Sequence, residues 1–163
     1  MTVHGIGIDV VEVARIATAI ARHGEAILAR LFTPAERAYC DTKKIPSIHY
    51  AARFAAKEAV AKALGTGIGA HANWLDLEVT HGPGGVPALG LHGAAAAYAS
   101  AHGICDIQIS LTHTHAHAAA NAIALKEDKQ GLSLSEPGLI SDVGGGIFRR
   151  GCQPAEPLLH PPL

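Results

Sequence analysis

The chain has 163 residues, of which 48% are hydrophobic and 17% charged, with a formal net charge of -1. That length suits one domain with its own core, and the balanced charge excludes a chain built to hold nucleic acid by overall electrostatics. No apolar run approaches a membrane span, and Cys40, Cys105 and Cys152 lie far apart without paired spacing, which fits a reducing compartment.

From the N-terminus, MTVHGIGIDVVEV has no basic leader followed by an apolar core, so no signal peptide is expected and cytoplasm is the default location. VHGIGIDV predicts a short strand in which Ile6, Ile8 and Val10 alternate with Gly5, Gly7 and Asp9. A helix is expected from about Val11 to Leu31. Thr33-Pro34-Ala35-Glu36 predicts a second, short helix ending near Cys40: Thr at the cap, Pro at the first helical position, Glu three residues on. DTKKIPSIH reads as a polar connection. A third helix is expected from about Tyr50 to Leu64, stopped by Gly65. After the loop GTGIGAHAN, WLDLEV and PALGLH predict a hairpin turned by HGPGGV. GAAAAYASAHG predicts a helix closed by Gly103. DIQISLTH and AHAAANAIAL predict two strands paired through a tight turn near Thr114–Ala116. Beyond about Glu127 the chain is rich in Gly, Pro and Ser and has no sustained period. The expected division is therefore a domain over 1–126 and a largely irregular tail over 127–163, with GLISDV a candidate short strand.

Four groups of residues could carry chemistry. Asp9 reads as a helix cap with Glu12 as its reciprocal partner; it equally reads as a ligand-facing carboxylate between glycines that open the backbone to approach. Glu58 is odder. At roughly 100° per residue it falls within about 40° of Phe54 on the third helix, so a carboxylate shares the side of a large aromatic ring. An i,i+4 pair with Lys62 would be worth about 0.2–0.5 kcal/mol, whereas burying a carboxylate costs several kcal/mol unless it is paired or holds a metal. Both readings stand at this point. His113, His115 and His117 alternate and would share one face of an extended strand; they read as a solvated face or as a zinc or nickel site without evident companion ligands. Lys43, Lys44, Arg53, Lys57 and Lys62 read as a wet helix face or as phosphate-binding groups. Arg15, Arg22 and Arg30 recur at helical spacing, as a solvated stripe or a docking face for an acidic macromolecule.

Taken together and in this order, GIGIDVVEVARI, LFTPAE, RFAAKEAVAKALGTGIG, WLDLEV and ISLTHT resemble the holo-[acyl-carrier-protein] synthase family, small 4'-phosphopantetheinyl transferases. The resemblance covers about residues 3–126, and the FAAKEA and GTGIG block is its most distinctive part. It implies an α+β fold, a small antiparallel sheet packed against a long helix and shorter helices. It implies transfer of phosphopantetheine from coenzyme A to a serine of apo acyl carrier protein, in the service of fatty acid biosynthesis, with release of adenosine 3',5'-bisphosphate. It also implies magnesium held by Asp9 and Glu58, and a homotrimer with sites between subunits.

On that resemblance, Asp9, Glu58 and Lys62 are the catalytic group. Glu58, directly or through a metal-held water, is the candidate base, and Lys62 neutralises a phosphate oxygen. His113, Arg53, Lys62, Gly65, Thr66 and Lys44 contact coenzyme A, with Lys43 and Gly67 as neighbours, and Arg15 and Arg22 dock the carrier. Neither nucleic acid nor membrane is expected as a partner. The rivals are a non-catalytic histidine-rich metal-binding module, an interaction protein in which Asp9 and Glu58 merely cap and pair, and a transferase acting on carrier domains of a larger synthase.

Overall fold

Small residues set the spacing between the layers. The computed structural model describes residues 1–128. They form β1 (Thr2–Glu12), α1 (Val13–His23), α2 (Glu25–Leu31), α3 (Pro34–Asp41), α4 (Pro46–Leu64), β2 (Leu77–His81), β3 (Pro87–Leu91), α5 (Gly93–Ala101), β4 (Ile104–His113) and β5 (His117–Lys126). β1, β5 and β4 make one antiparallel sheet in that order, and β2 and β3 make a separate antiparallel hairpin. This is the α+β arrangement expected: one long helix, α4, lies on a small sheet. Residues beyond 128, including GLISDV and Cys152, lie outside the described residues.

On the face of β5 turned toward α4 stand Ala118, Ala120, Ala122 and Ala124, each 4% exposed or less. Beside them on β1 stand Gly5 and Gly7. A Cβ on Gly7 would run into the backbone carbonyl of Ala59, and one on Gly5 into that of Ala63. The glycines of GIGID therefore admit a helix rather than a ligand, which corrects one of the two readings of that stretch. Because the obstruction is backbone, a side chain cannot simply rotate away. Gly7→Ala is expected to cost about 1–3 kcal/mol or more of stability, read by denaturant unfolding. Gly69→Ala, where an added Cβ meets nothing within 4 Å, should stay within about 0.5 kcal/mol.

Several boundaries differ from the sequence reading. The helix expected over Val11–Leu31 is two helices, broken at Gly24, whose φ of 54° and ψ of -134° suit glycine alone. Arg30 consequently lies on α2 and not on a continuous stripe with Arg15 and Arg22. α4 begins at Pro46, so the IPSIH stretch is its first turn and not a connection. WLDLEV is a strand only from Leu77; Trp74–Asp76 is a 3-10 turn capped by Asn73. The capping box on α3 is present as read: the Thr33 hydroxyl accepts from Glu36 N at 3.3 Å and Glu36 Oε2 accepts from Thr33 N at 2.8 Å. Gly65 closes α4 in the left-handed region at φ 78°. Among the described residues no helix is long and apolar enough to cross a membrane.

Candidate active site

α4 is buried on nearly every side from Tyr50 to Leu64; the exceptions are Phe54 and Glu58, half-buried, and Lys62, exposed. These three recur at i, i+4 and i+8, so they form one open strip along an otherwise enclosed helix. β1 runs beside that strip. Asp9 follows Gly5 and Gly7 on the strand face turned to α4, and Lys62 Nζ donates to Asp9 Oδ1 at 2.8 Å and to the Ile8 carbonyl at 2.9 Å.

Two of the plain structural readings fail here. Asp9 does not cap a helix: it sits inside β1, and the residue at the α1 cap is Glu12, which makes no side-chain capping bond. Lys62 does not form the i,i+4 pair with Glu58; among the described residues its ion pair is with Asp9. Glu58 is left half-buried, and its carboxyl is held above the usual glutamate range, first by burial and then by the Asp9 charge, with Lys62 and Arg15 pulling it back. Asp9 and Glu58, distant in sequence, therefore lie in each other's field. Arg15 is exposed on α1 yet close enough to Glu58 to be felt.

A second group collects on a different face of α4, toward α3 and β4. Arg53 is 3% exposed, and its guanidinium lies 4.1 Å from the centre of the Tyr39 ring. Lys43 Nζ lies 4.0 Å from the same ring, and the His81 ring centre lies 4.4 Å away. His49, four residues before Arg53, is 6.1 Å from Tyr39 and 5.2 Å from His113, ring centre to ring centre. Arg53 Nε is buried without a hydrogen-bond partner. Of the basic residues named from sequence, Arg53, Lys43 and His113 are brought together; Lys44 is simply exposed. Gly65 and Thr66 follow Lys62 at the end of α4, where Thr66 N bonds the Ala61 carbonyl and the Thr66 hydroxyl bonds the Gly67 carbonyl.

The alternating histidines do not share a strand face. His113 ends β4, His115 lies in the turn, and His117 begins β5 opposite Glu12. Among the described residues no group of three or more His, Cys, Asp and Glu side chains is placed to hold a metal.

Lys57, read from sequence as part of a wet face, is wholly buried. Its ammonium meets Glu36 Oε2 at 2.6 Å and donates to the carbonyls of Leu31 and Trp74 at 2.8 Å each. Sequence reasoning also missed Tyr39, His49 and His81. The available signal was His49 one helical turn before Arg53; Tyr39 and His81 come from other elements and left none.

Residues 5–123 match the family model described as the 4'-phosphopantetheinyl transferase superfamily. The chain belongs to this superfamily. Within it, the chain is 51% identical over 121 residues to the holo-[acyl-carrier-protein] synthase of Desulforudis audaxviator (strain MP104C), covering 74% of this chain and 92% of that relative. It is 50% identical over 99 residues to the holo-[acyl-carrier-protein] synthase of Koribacter versatilis (strain Ellin345), covering 61% and 79%. The crystal structure of the Neisseria meningitidis synthase superposes with a TM-score of 0.73 at 31% identity, covering 77% of this chain and all of that one. The Helicobacter pylori synthase, solved in complex with coenzyme A, superposes with a TM-score of 0.66 at 32% identity, covering 74% and 99%. The protein is an enzyme of the holo-[acyl-carrier-protein] synthase family, and its α+β fold is that of the phosphopantetheinyl transferases it matches.

Proposed function

We propose that this protein transfers 4'-phosphopantetheine from coenzyme A to a serine of an apo acyl carrier protein and releases adenosine 3',5'-bisphosphate. The observation that carries the reading is the pairing of Asp9 with Glu58 in one field, at the single open strip of a buried helix. A relative at 51% identity is a holo-[acyl-carrier-protein] synthase, and the Helicobacter pylori synthase was solved in complex with coenzyme A.

The donor set fits magnesium. Two carboxylates face one another's charge, and the Lys62 ammonium already lies on one of them. A hard dication of this kind takes few protein carboxylates and fills its shell with water and phosphate, which suits a site lacking a third protein ligand. Asp9 and Glu58 would hold the ion, and when bound it supplies neutralisation of phosphate charge. Lys62, exposed beside Asp9, is placed to meet a phosphate oxygen and stabilise charge on the leaving group. Glu58 would take the serine proton, directly or through water.

Coenzyme A would also need a site for its nucleotide phosphate. Arg53 and Lys43 would supply positive charge for it and His113 a hydrogen-bonding imidazole, and the glycines of the GTG turn would give backbone access. Arg53 adjoins Phe54 in sequence and so lies about 100° round α4 from the Glu58 strip. Meanwhile Ile6, Ile8 and Val10 stand 69%, 66% and 60% exposed on the sheet face opposite α4. An uncovered apolar sheet face marks an interaction surface. A homotrimer that buries it and composes each site from two protomers accounts for both facts. Mixing Glu58→Gln and Arg53→Ala subunits, each inactive alone, is then expected to restore about a quarter of normal turnover, since random assembly leaves that share of sites intact. No restoration would place both groups in one protomer's site.

The carrier would dock on α1. Arg15 and Arg22 are exposed there, beside an apolar groove of about 170 Å³ lined by Ile16, Ile20, Leu31 and Phe54, and a basic rim around an apolar centre suits an acidic protein partner. Because Arg15 is felt by Glu58, Arg22 is the cleaner probe. Arg22→Glu is expected to raise the KM for carrier about tenfold, leave the KM for coenzyme A unchanged and flatten the salt dependence. An unaltered salt response would move the docking face elsewhere. Cytoplasm is the compartment this substrate pair implies. The direct test of the function is a mass gain on apo carrier protein incubated with the enzyme and coenzyme A, with and without magnesium.

A further inference from the structure

His49 has no part in the function proposed so far, yet it stands in the middle of the basic group. From α3 and the turn after it come Tyr39 and Lys43, from α4 Arg53, and from β4 His113, with His81 of β2 against Tyr39. The acids of α3 are already engaged: Asp41 Oδ1 accepts the Tyr50 hydroxyl at 2.7 Å, and Glu36 is paired with Lys57. Among the described residues no carboxylate forms an ion pair with Arg53, Lys43, His49 or His113, and the buried Arg53 Nε makes no hydrogen bond. A buried donor left unmatched favours any ligand that supplies an acceptor, and a phosphate is the acceptor that such a set recognises.

We propose that His49 is an anion-binding residue of this site, sharing the 3'-phosphate of coenzyme A with His113 and Arg53 and taking up a proton from solvent as that phosphate binds. This rests on the functional reading above and adds a residue and a proton to it. In the free protein the imidazole is kept neutral at pH 7: burial, then His113, Lys43 and Arg53, hold its proton affinity below the ordinary histidine value. A phosphate dianion in contact with the ring reverses the balance. It offsets the neighbouring cations and favours imidazolium, which then donates a charge-assisted hydrogen bond. The balance is one solvent proton gained by one imidazole, with no bond broken in the ligand. By linkage, affinity must fall as pH rises across the window between the free and bound proton affinities, by up to tenfold per pH unit for one proton.

The test is calorimetric titration of the full-length protein with coenzyme A and with 3'-dephospho-coenzyme A, from pH 6.5 to 8.5, in buffers of differing ionisation enthalpy. Above pH 6.5 the ligand's own phosphate is mostly dianionic, since its second pKa is about 6. The wild type should take up protons with coenzyme A but not with the 3'-dephospho form, and should bind coenzyme A about tenfold more weakly at the top of the range. His49→Phe, which keeps an aromatic ring against Tyr39 and His113, and His49→Gln should each lose most of that uptake. They should bind about tenfold more weakly than wild type at pH 6.5 and equal it near pH 8.5. Proton uptake and affinity in both variants matching wild type at every pH would overturn the role of His49 while leaving coenzyme A as a ligand. Equal binding of the two nucleotides by the wild type would overturn the 3'-phosphate assignment. Failure of the wild type to bind coenzyme A at all would overturn the functional reading with it.

Discussion

Glu58→Gln is expected to lower turnover by about 10³-fold, or about 4 kcal/mol of transition-state stabilisation, while the folded state is kept or strengthened. The loss follows from the proposed roles: an amide neither binds the ion as a second anion nor accepts the serine proton. The stability follows from the field. The Glu58 carboxyl is raised above its unfolded value by burial and by Asp9. Such a group favours the folded state while protonated and loses that contribution as pH rises through the raised value. Glutamine never ionises. At neutral pH the variant should therefore unfold at the same temperature as wild type or higher, and the two should converge as pH falls below about 4.3, the ordinary glutamate value. Thermal melts across pH, read beside turnover, check both halves. Turnover within tenfold of wild type with magnesium supplied would remove Glu58 from the reaction.

Lys57→Ala carries the largest expected cost in stability. Lys57 and Glu36 are fully buried side chains from α4 and α3, and their contact spans 2.6 Å. Glu36 also accepts from Thr33 N and from Val79 N at 2.9 Å, while Lys57 holds the carbonyls that end α2 and open the 3-10 turn. One ion pair thus ties α2, α3, α4, the 3-10 turn and β2. Removing one member of such a pair leaves a buried charge unmatched and typically costs about 3–5 kcal/mol, a large part of the roughly 5–15 kcal/mol that holds a domain together. The Lys57→Met, Glu36→Gln double variant should lose less than the sum of the two single losses, because neither charge is then stranded. A Lys57→Ala cost below about 1 kcal/mol in denaturant unfolding would contradict this account of the pair.

What could be read from sequence was mostly local. The α3 cap was legible because Thr33, Pro34 and Glu36 satisfy one another within a single turn, and the Gly65 stop because left-handed backbone selects glycine. The break at Gly24 was not read, since a lone glycine inside an apolar helical period is often tolerated. Gly5 and Gly7 were misassigned because their reason, the carbonyls of Ala59 and Ala63, lies on an element distant in sequence. The same close approach explains why β5 is built from alanine, a poor strand former: nothing larger fits under α4. Lys57 was illegible because a lysine among alanines looks solvated until its partner arrives from α3. At the site, the sequence suggested Glu58 as the partner of Lys62, but which acid takes the lysine depends on the packing of β1 against α4, and it is Asp9. The second group yielded Arg53, Lys43 and His113 and not His49, Tyr39 or His81, because a charge cluster drawn from α3, α4, β2 and β4 has no linear signature.

The central claim is that Asp9 and Glu58 jointly hold one divalent cation. Titrating magnesium into the coenzyme A-bound protein, for wild type, Asp9→Asn, Glu58→Gln and the double variant, tests it most directly. One ion per chain is expected for wild type, at least tenfold weaker binding in each single variant, and a double variant whose loss is smaller than the two combined, because both substitutions empty the same site. Wild-type magnesium affinity in either single variant would contradict the claim.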